Sequence, residues 1–305
     1  MKWRGGRRSD NIEDRRGQQA GMGRGLPGGF RLPRGRGARR GGIGGIGLII
    51  VVVLALFFGV DPSILLQGVQ GTGPSMQAPR PNTPAPRSQA GDDETKAFVS
   101  VVLADTEDTW TAIFKQLNRR YQRPKLVLYR GAVRSACGLG QAASGPFYCP
   151  GDRKVYLDLS FFNQLARQFK APGDFARAYV IAHEIGHHVQ TLLGIADKVQ
   201  AARQRAGTRQ GNRLQVMMEL QADCFAGVWA KNADKARNIL ERGDIEEGIG
   251  AASAVGDDTL QRCTQGYVVP DAFTHGSSAQ RVRWFKQGLD SGDQRQCDTF
   301  KATRF

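Results

Sequence analysis

The sequence predicts an α+β domain, mostly helical with a small sheet, preceded by one transmembrane helix. Three observations predict it. The window 174–193 is apolar or small around most of a helical circumference, as a buried helix should be. Lys125-Leu-Val-Leu-Tyr129 and Lys154-Val-Tyr-Leu-Asp-Leu159 read as strands, short runs of β-formers, the second with alternating faces. Residues 41–60 run from Gly41 to Val60 with no charge, and about 20 apolar residues span a bilayer.

The chain divides by composition. Residues 1–40 carry twelve Lys or Arg against Asp10, Glu13 and Asp14, a large share of the formal charge of +15. They are glycine-rich with hardly any apolar period, so a disordered basic tail is expected. Arg39 and Arg40 stand directly before the apolar run. The positive-inside rule then places the tail in the cytoplasm and everything after Asp61 outside, periplasmic or extracellular. No A-x-A site follows promptly and the basic region is long, so residues 41–60 read as an uncleaved signal anchor in the cytoplasmic membrane. Nucleic acid is the poorer partner for the tail, because only Trp3 and Phe30 are there to stack on bases. Residues 61–93 are rich in Pro, Gly, Ser and Gln and read as a linker. Residues 94–305 are long enough for one domain with a real core.

Within that domain the first helical stretch is expected at about Glu94–Arg120, before the strands. Pro172-Gly173 breaks the chain, Asp174 is expected as N-cap of the next helix, and Gly194 is placed to end it. A further helix covers Met218 to Gly227, and a mostly helical region follows.

The chemistry lies in His183-Glu184-Ile185-Gly186-His187. Histidines at i and i+4 share a helix face one turn apart, so both rings reach one metal ion. Glu184 beside them is the candidate general base for a water activated by that metal. Gly186 weakens the helix but lets a neighbour come close to the metal face. His188 lies about 100° around the helix and reads as structural. The third ligand is sought in Met218-Glu219-Leu220-Gln221-Ala222-Asp223-Cys224. Two acids at i and i+4 on a helix of apolar and small residues are costly to bury unless they pair or bind a cation. Glu219 is read as the ligand, and Asp223 as the acceptor of a ligand histidine's other ring N–H. The expected ion is Zn2+.

H-E-x-x-H followed by E-x-x-x-D resembles the gluzincin pattern of thermolysin-like and CAAX prenyl endopeptidase-like enzymes. The nearer resemblance is to the bacterial putative neutral zinc metallopeptidase family. It is carried by Gly145-Pro-Phe-Tyr-Cys-Pro150, Val155-Tyr-Leu-Asp-Leu-Ser160, residues 178–190, Glu219-Leu-Gln-Ala-Asp-Cys224, Phe273-Thr-His-Gly-Ser-Ser278 and Cys297-Asp-Thr-Phe300. The resemblance implies a zincin-like fold and a zinc-dependent peptidase acting on a peptide or protein substrate.

Such chemistry needs a donor for the developing oxyanion. His275 is the remaining histidine, and Arg281 follows six residues on. The segment is similar to a T-H-P…R stretch of the CAAX prenyl endopeptidase-like families, with Gly276 in place of proline. Tyr179 and Tyr267 are weaker candidates for the same role. An edge strand beside the metal helix would pair with an extended substrate. Five cysteines fit an oxidising location, with Cys137–Cys149 and Cys263–Cys297 as the expected disulfides and Cys224 as a buried thiol. The alternative to catalysis is a metal-stabilised, non-catalytic envelope binding or assembly factor. Glu184 speaks against it, since a structural metal site needs no base.

Overall fold

The structure, a computed structural model, describes residues 1–17, 88–141 and 145–302. Strand β1 (Ile12–Asp14) is followed by helix α1 (Ser88–Gln116), then β2 (Lys125–Tyr129), β3 (Ala132–Ser135), β4 (Gly138–Gln141), β5 (Phe147–Cys149) and β6 (Lys154–Asp158). Helices α2 (Ser160–Arg167), α3 (Asp174–Leu192), α4 (Ile195–Arg205), α5 (Thr208–Arg237), α6 (Asp244–Ala254), α7 (Asp257–Gln265) and α8 (Ser278–Ser291) complete it, with 3-10 turns at Pro270–Ala272 and Gln294–Cys297.

The main sheet has the order β1-β2-β6-β5. β1, β2 and β6 are parallel, and β5 closes one edge antiparallel to β6. β2 and β6 are interior and buried at four of five positions each, which explains their nearly continuous apolar sequence. The strands read at 125–129 and 154–159 are therefore both interior, and the edge next to the metal helix is β5. β3 and β4 form a separate hairpin.

The core lies among α1, α3, α5 and α8. Trp110 of α1 meets Phe225 of α5 edge-on at 5.4 Å, and Phe175 of α3 stacks on Trp229 of α5 at 6.0 Å. Two glycine contacts set the helix spacing. A Cβ on Gly186 would sit 2.9 Å from the Ala222 carbonyl oxygen, so α3 and α5 touch backbone to backbone between Glu219 and Asp223. A Cβ on Gly288 would sit 1.9 Å from the Cys224 carbonyl oxygen, which fixes α8 against the same turn of α5. Close approach of this kind is what a helix gains from an interior glycine that otherwise costs it stability.

Helix boundaries shift by a few residues from expectation. The first helix begins at Ser88 and ends at Gln116, and Asn118 follows in the left-handed region at φ 54°. Gly173 at φ 116° is the N-cap of α3 and Asp174 its first residue, while Gly194 at φ 74° ends it as expected.

The expected disordered tail over residues 1–40 is corrected for its first 17 residues, which fold onto the domain. The reason is charge complementarity that composition hides. Arg4 pairs with Glu94 at 2.7 Å and Arg7 with Asp108 at 2.7 Å, both acids on α1, and Lys154 of β6 pairs with Glu13 at 2.8 Å. The remainder of that tail, the apolar run 41–60 and most of the linker 61–93 lie outside the described residues. Among the described residues no helix is long and apolar enough to cross a membrane.

Cys137–Cys149 is a disulfide, as expected. The second expectation is corrected: Cys297 bonds Cys224, and Cys263 is an exposed thiol. The cause is the depth of Cys224 on α5, where the turn at Gln294–Cys297 packs, while Cys263 points outward from α7.

Candidate metal centre

The apolar stretch around His183 forces α3 into the core, and the histidines go in with it. His183 and Glu184 are buried, and His187 is nearly so. α5 crosses them at the Gly186–Ala222 contact and presents Glu219 to both rings. His183 Nε2 lies 3.2 Å from Glu219 Oε2, and His187 Nε2 lies 3.5 Å from the same oxygen. Three ligands about 2.1 Å from a tetrahedral zinc are separated by about 3.4 Å, so the triangle has the size of a zinc site. Among the described residues, His183, His187 and Glu219 form one group whose ligand atoms lie within 4.8 Å of one another.

The other ring nitrogens are occupied, which fits the donor chemistry of a metal site. His183 Nδ1 lies 2.8 Å from Asp223 Oδ1. His187 Nδ1 lies 2.9 Å from Gln190 Oε1. With each Nδ1–H donating to its oxygen acceptor, a metal that displaces the Nε2 proton would find each Nε2 lone pair directed to the centre. Burial disfavours charge on His183, but Asp223 and Glu219 outweigh it and raise its pKa to about 9. Burial likewise opposes charge on Glu219, yet the two histidines hold its pKa well below the ordinary carboxylate value. The same anionic field that holds a proton in this arrangement favours a divalent cation.

Asp223 is fully buried and carries more than the histidine. Arg281 donates to both its oxygens, Nε to Oδ2 and Nη2 to Oδ1, each at 2.9 Å, and Tyr179 donates its hydroxyl to Oδ1. Burial pushes Asp223 up, and Arg281 with His183 brings it below its ordinary value. Arg281 was expected to face the substrate as an oxyanion donor. Its guanidinium is instead committed to Asp223, Tyr179 and the Val255 carbonyl, so it holds the acceptor of His183 in place. Tyr179 is excluded as an oxyanion donor by the same bonds, and Tyr267 is 63% exposed and does not line the cleft.

Gln190 had no signal in the reading by ligand type, yet it is fully buried and holds His187. Its amide nitrogen donates to the Met218 carbonyl at 2.7 Å and to Gln221 Oε1 at 3.1 Å. Gln221 in turn donates to the Cys297 carbonyl at 2.9 Å. A glutamine one turn from a ligand histidine, on its face, is the spacing that would have pointed to it.

A cleft of about 680 Å³ opens over the centre, lined by His183, Glu184, His187, Glu219, His275 and Arg281. The carboxylate of Glu184 has no hydrogen-bond partner among the described residues and faces this cleft. Phe147, Phe161, Phe169, Val180 and Leu260 make part of its lining apolar. His275 reaches it from the turn between α7 and α8. Asp257, at the start of α7, builds that turn: its Oδ2 accepts the backbone N–H groups of Thr274, His275 and Gly276. Its Oδ1 faces His275 Nδ1 at 3.2 Å, and this bond, outweighing burial, raises the His275 pKa. Asp257 is a second positioning residue that the sequence alone did not mark. His188 is structural, as expected: its Nε2 lies 2.6 Å from the Gln122 carbonyl, and burial lowers its pKa to about 4.

A donor triangle of this edge length, with a free carboxylate one residue from a ligand, has the form of a zinc-metallopeptidase site. Comparison with known proteins agrees. The chain belongs to the family described as putative neutral zinc metallopeptidase, whose model matches residues 1–300. It is 51% identical over 300 residues to the uncharacterized protein YpfJ of Escherichia coli strain K12, covering 98% of this chain and 99% of that one. It is 40% identical over 258 residues to the uncharacterized protein Rv2575 of Mycobacterium tuberculosis strain H37Rv, covering 81% of this chain and 85% of that one. No solved structure matches.

Proposed function

We propose that this protein is a zinc-dependent endopeptidase, with His183, His187 and Glu219 as the metal ligands. The observation that carries the reading is the free Glu184 carboxylate in the cleft beside the ligand triangle. Bound zinc would supply Lewis acidity to the attacking water and to the scissile carbonyl. Glu184 takes the proton from that water and returns it to the leaving amine. His275, held by Asp257 and carrying a raised pKa, donates from its ring to the oxyanion. Arg281 and Tyr179 keep Asp223 oriented toward His183, and Gln190 does the same for His187. An extended peptide pairs with the free edge of β5, whose Tyr148 lines the cleft. The apolar lining favours apolar side chains near the scissile bond.

The chain is proposed to attach to the cytoplasmic membrane through residues 41–60, with the catalytic domain on the outer side. The uncharged run supports the attachment, and two disulfides support an oxidising compartment. No observation favours the non-catalytic binding factor.

The test is cleavage of a peptide library by the purified full chain, with its zinc content measured alongside. Glu184→Gln is expected to retain zinc and lose turnover by about 10²–10⁴-fold. Equal turnover by variant and wild type would remove Glu184 from catalysis and the peptidase reading with it.

A further inference from the structure

Residues 1–17 pair with the catalytic domain at backbone level. In β1 the register is Ile12 with Leu126, Glu13 with Val127 and Asp14 with Leu128. The Leu126 N–H donates to the Asn11 carbonyl at 2.8 Å, and the Arg15 N–H donates to the Leu128 carbonyl at 2.8 Å. The segment continues past the sheet. Ser9 and Ser100 exchange bonds of 3.0–3.1 Å, Lys2 N–H reaches the Ile239 carbonyl at 2.7 Å, and Trp3 meets Phe98 edge-on at 5.4 Å.

One buried group makes the segment more than an ornament. Glu107 of α1 is fully buried. Among the described residues its hydrogen-bond donors come from the N-terminal segment, Ser9 Oγ at 2.7 Å, Asn11 Nδ2 at 2.7 Å and Arg7 Nη2 at 3.1 Å, and Arg123 adds a looser ion pair at 4.0 Å from the loop after α1. A carboxylate placed this deep is tolerated because those donors are present. Residues 1–17 and 88–302 accordingly form one compact unit, and the family match begins at residue 1.

We infer that residues 1–17 occupy the same compartment as the catalytic domain and are part of it. The hydrocarbon core of a bilayer is about 30 Å thick. Backbone groups of β1 and β2 at 2.8 Å cannot lie on its two sides. This replaces the cytoplasmic tail that the charge pattern alone would dictate. Arg4 and Arg7 of this segment pair with Glu94, Glu107 and Asp108 on α1.

The test uses the full chain in intact cells of a bacterial host and a membrane-impermeant maleimide that reaches the outer face of the cytoplasmic membrane. The exposed native Cys263 reports on the domain. Asp10→Cys in a Cys263→Ser background reports on the N-terminal segment, since Asp10 is exposed. Lysis must expose both thiols to the reagent. The inference expects both to label in intact cells, or neither. Labelling of one in intact cells and of the other only after lysis would overturn it. Hydrogen exchange on the purified wild-type chain gives a second reading that needs no variant. The amides of Arg15 and Leu126 are expected to be protected together, and free exchange at both would also overturn it.

Discussion

Among the described residues, two carboxylates are completely buried in different places, Asp223 on α5 and Glu107 on α1. Asp223 is held by His183, Tyr179 and Arg281, and Glu107 by Arg7, Ser9 and Asn11. The physics is the same, a desolvated charge made tolerable by donors. The difference is where the donors are written. Those of Asp223 lie in helices that announce themselves by apolar periodicity and by the H-E-x-x-H spacing. Those of Glu107 lie about a hundred residues away, in a segment whose glycine and arginine content reads as disorder. A charge-rich stretch is solvated only when no surface of opposite charge and matching register awaits it, and α1 with β2 is such a surface.

The largest expected effect on this comparison comes from the metal side. Asp223→Ala should weaken zinc binding by about 10–100-fold, and Gln190→Ala should act in the same direction through His187. Competition with a chromophoric chelator measures both. Unchanged zinc affinity in Asp223→Ala would mean that its bonds hold the fold and not the ligand, making the two buried acids equivalent.

The N-terminal side should answer in stability and not in metal affinity. Ser9→Ala removes one donor from Glu107 and should cost roughly 1–3 kcal/mol in denaturant unfolding. Its zinc affinity should stay at the wild-type value. A loss of zinc without a loss of stability would join the two regions and break the contrast.

The smallest effect is in acid. Burial opposes charge on Glu13, but Lys154 and Arg15 outweigh it and hold its pKa at about 2 against an ordinary 4.5. Asp14 is lowered as well, chiefly by its bond to Arg16. Carboxylates with depressed pKa values contribute stability above the ordinary value and lose it as pH falls through the folded one. Protection of the Arg15 amide should therefore decline relative to the α3 core as pH falls from about 4.5 toward 2. Equal protection across that window would show that backbone pairing alone docks β1.

Much of the site was legible in the sequence for local reasons. Ligand spacing is a property of one helix turn, and the cost of burying Glu219 with Asp223 is a property of another. β2, α3 and the close contact at Gly186 follow from composition and period. What escaped was set by pairs distant in the chain. Arg281 reads as a free cation six residues after His275, and the close packing of α8 on α5, at Gly227 and Gly288, turns it onto Asp223. Cys224 looks like a buried thiol until the C-terminal turn brings Cys297 to it. β1 is three residues long and has no period to read.

The most direct test of the metal centre is the coordination of zinc in the loaded full-length protein, by anomalous diffraction or X-ray absorption. The account predicts His183 Nε2, His187 Nε2 and a Glu219 oxygen at about 2.0–2.2 Å from the ion, with Asp223 hydrogen-bonded to His183. Asp223 bound to zinc, with Glu219 turned to solvent, would contradict it.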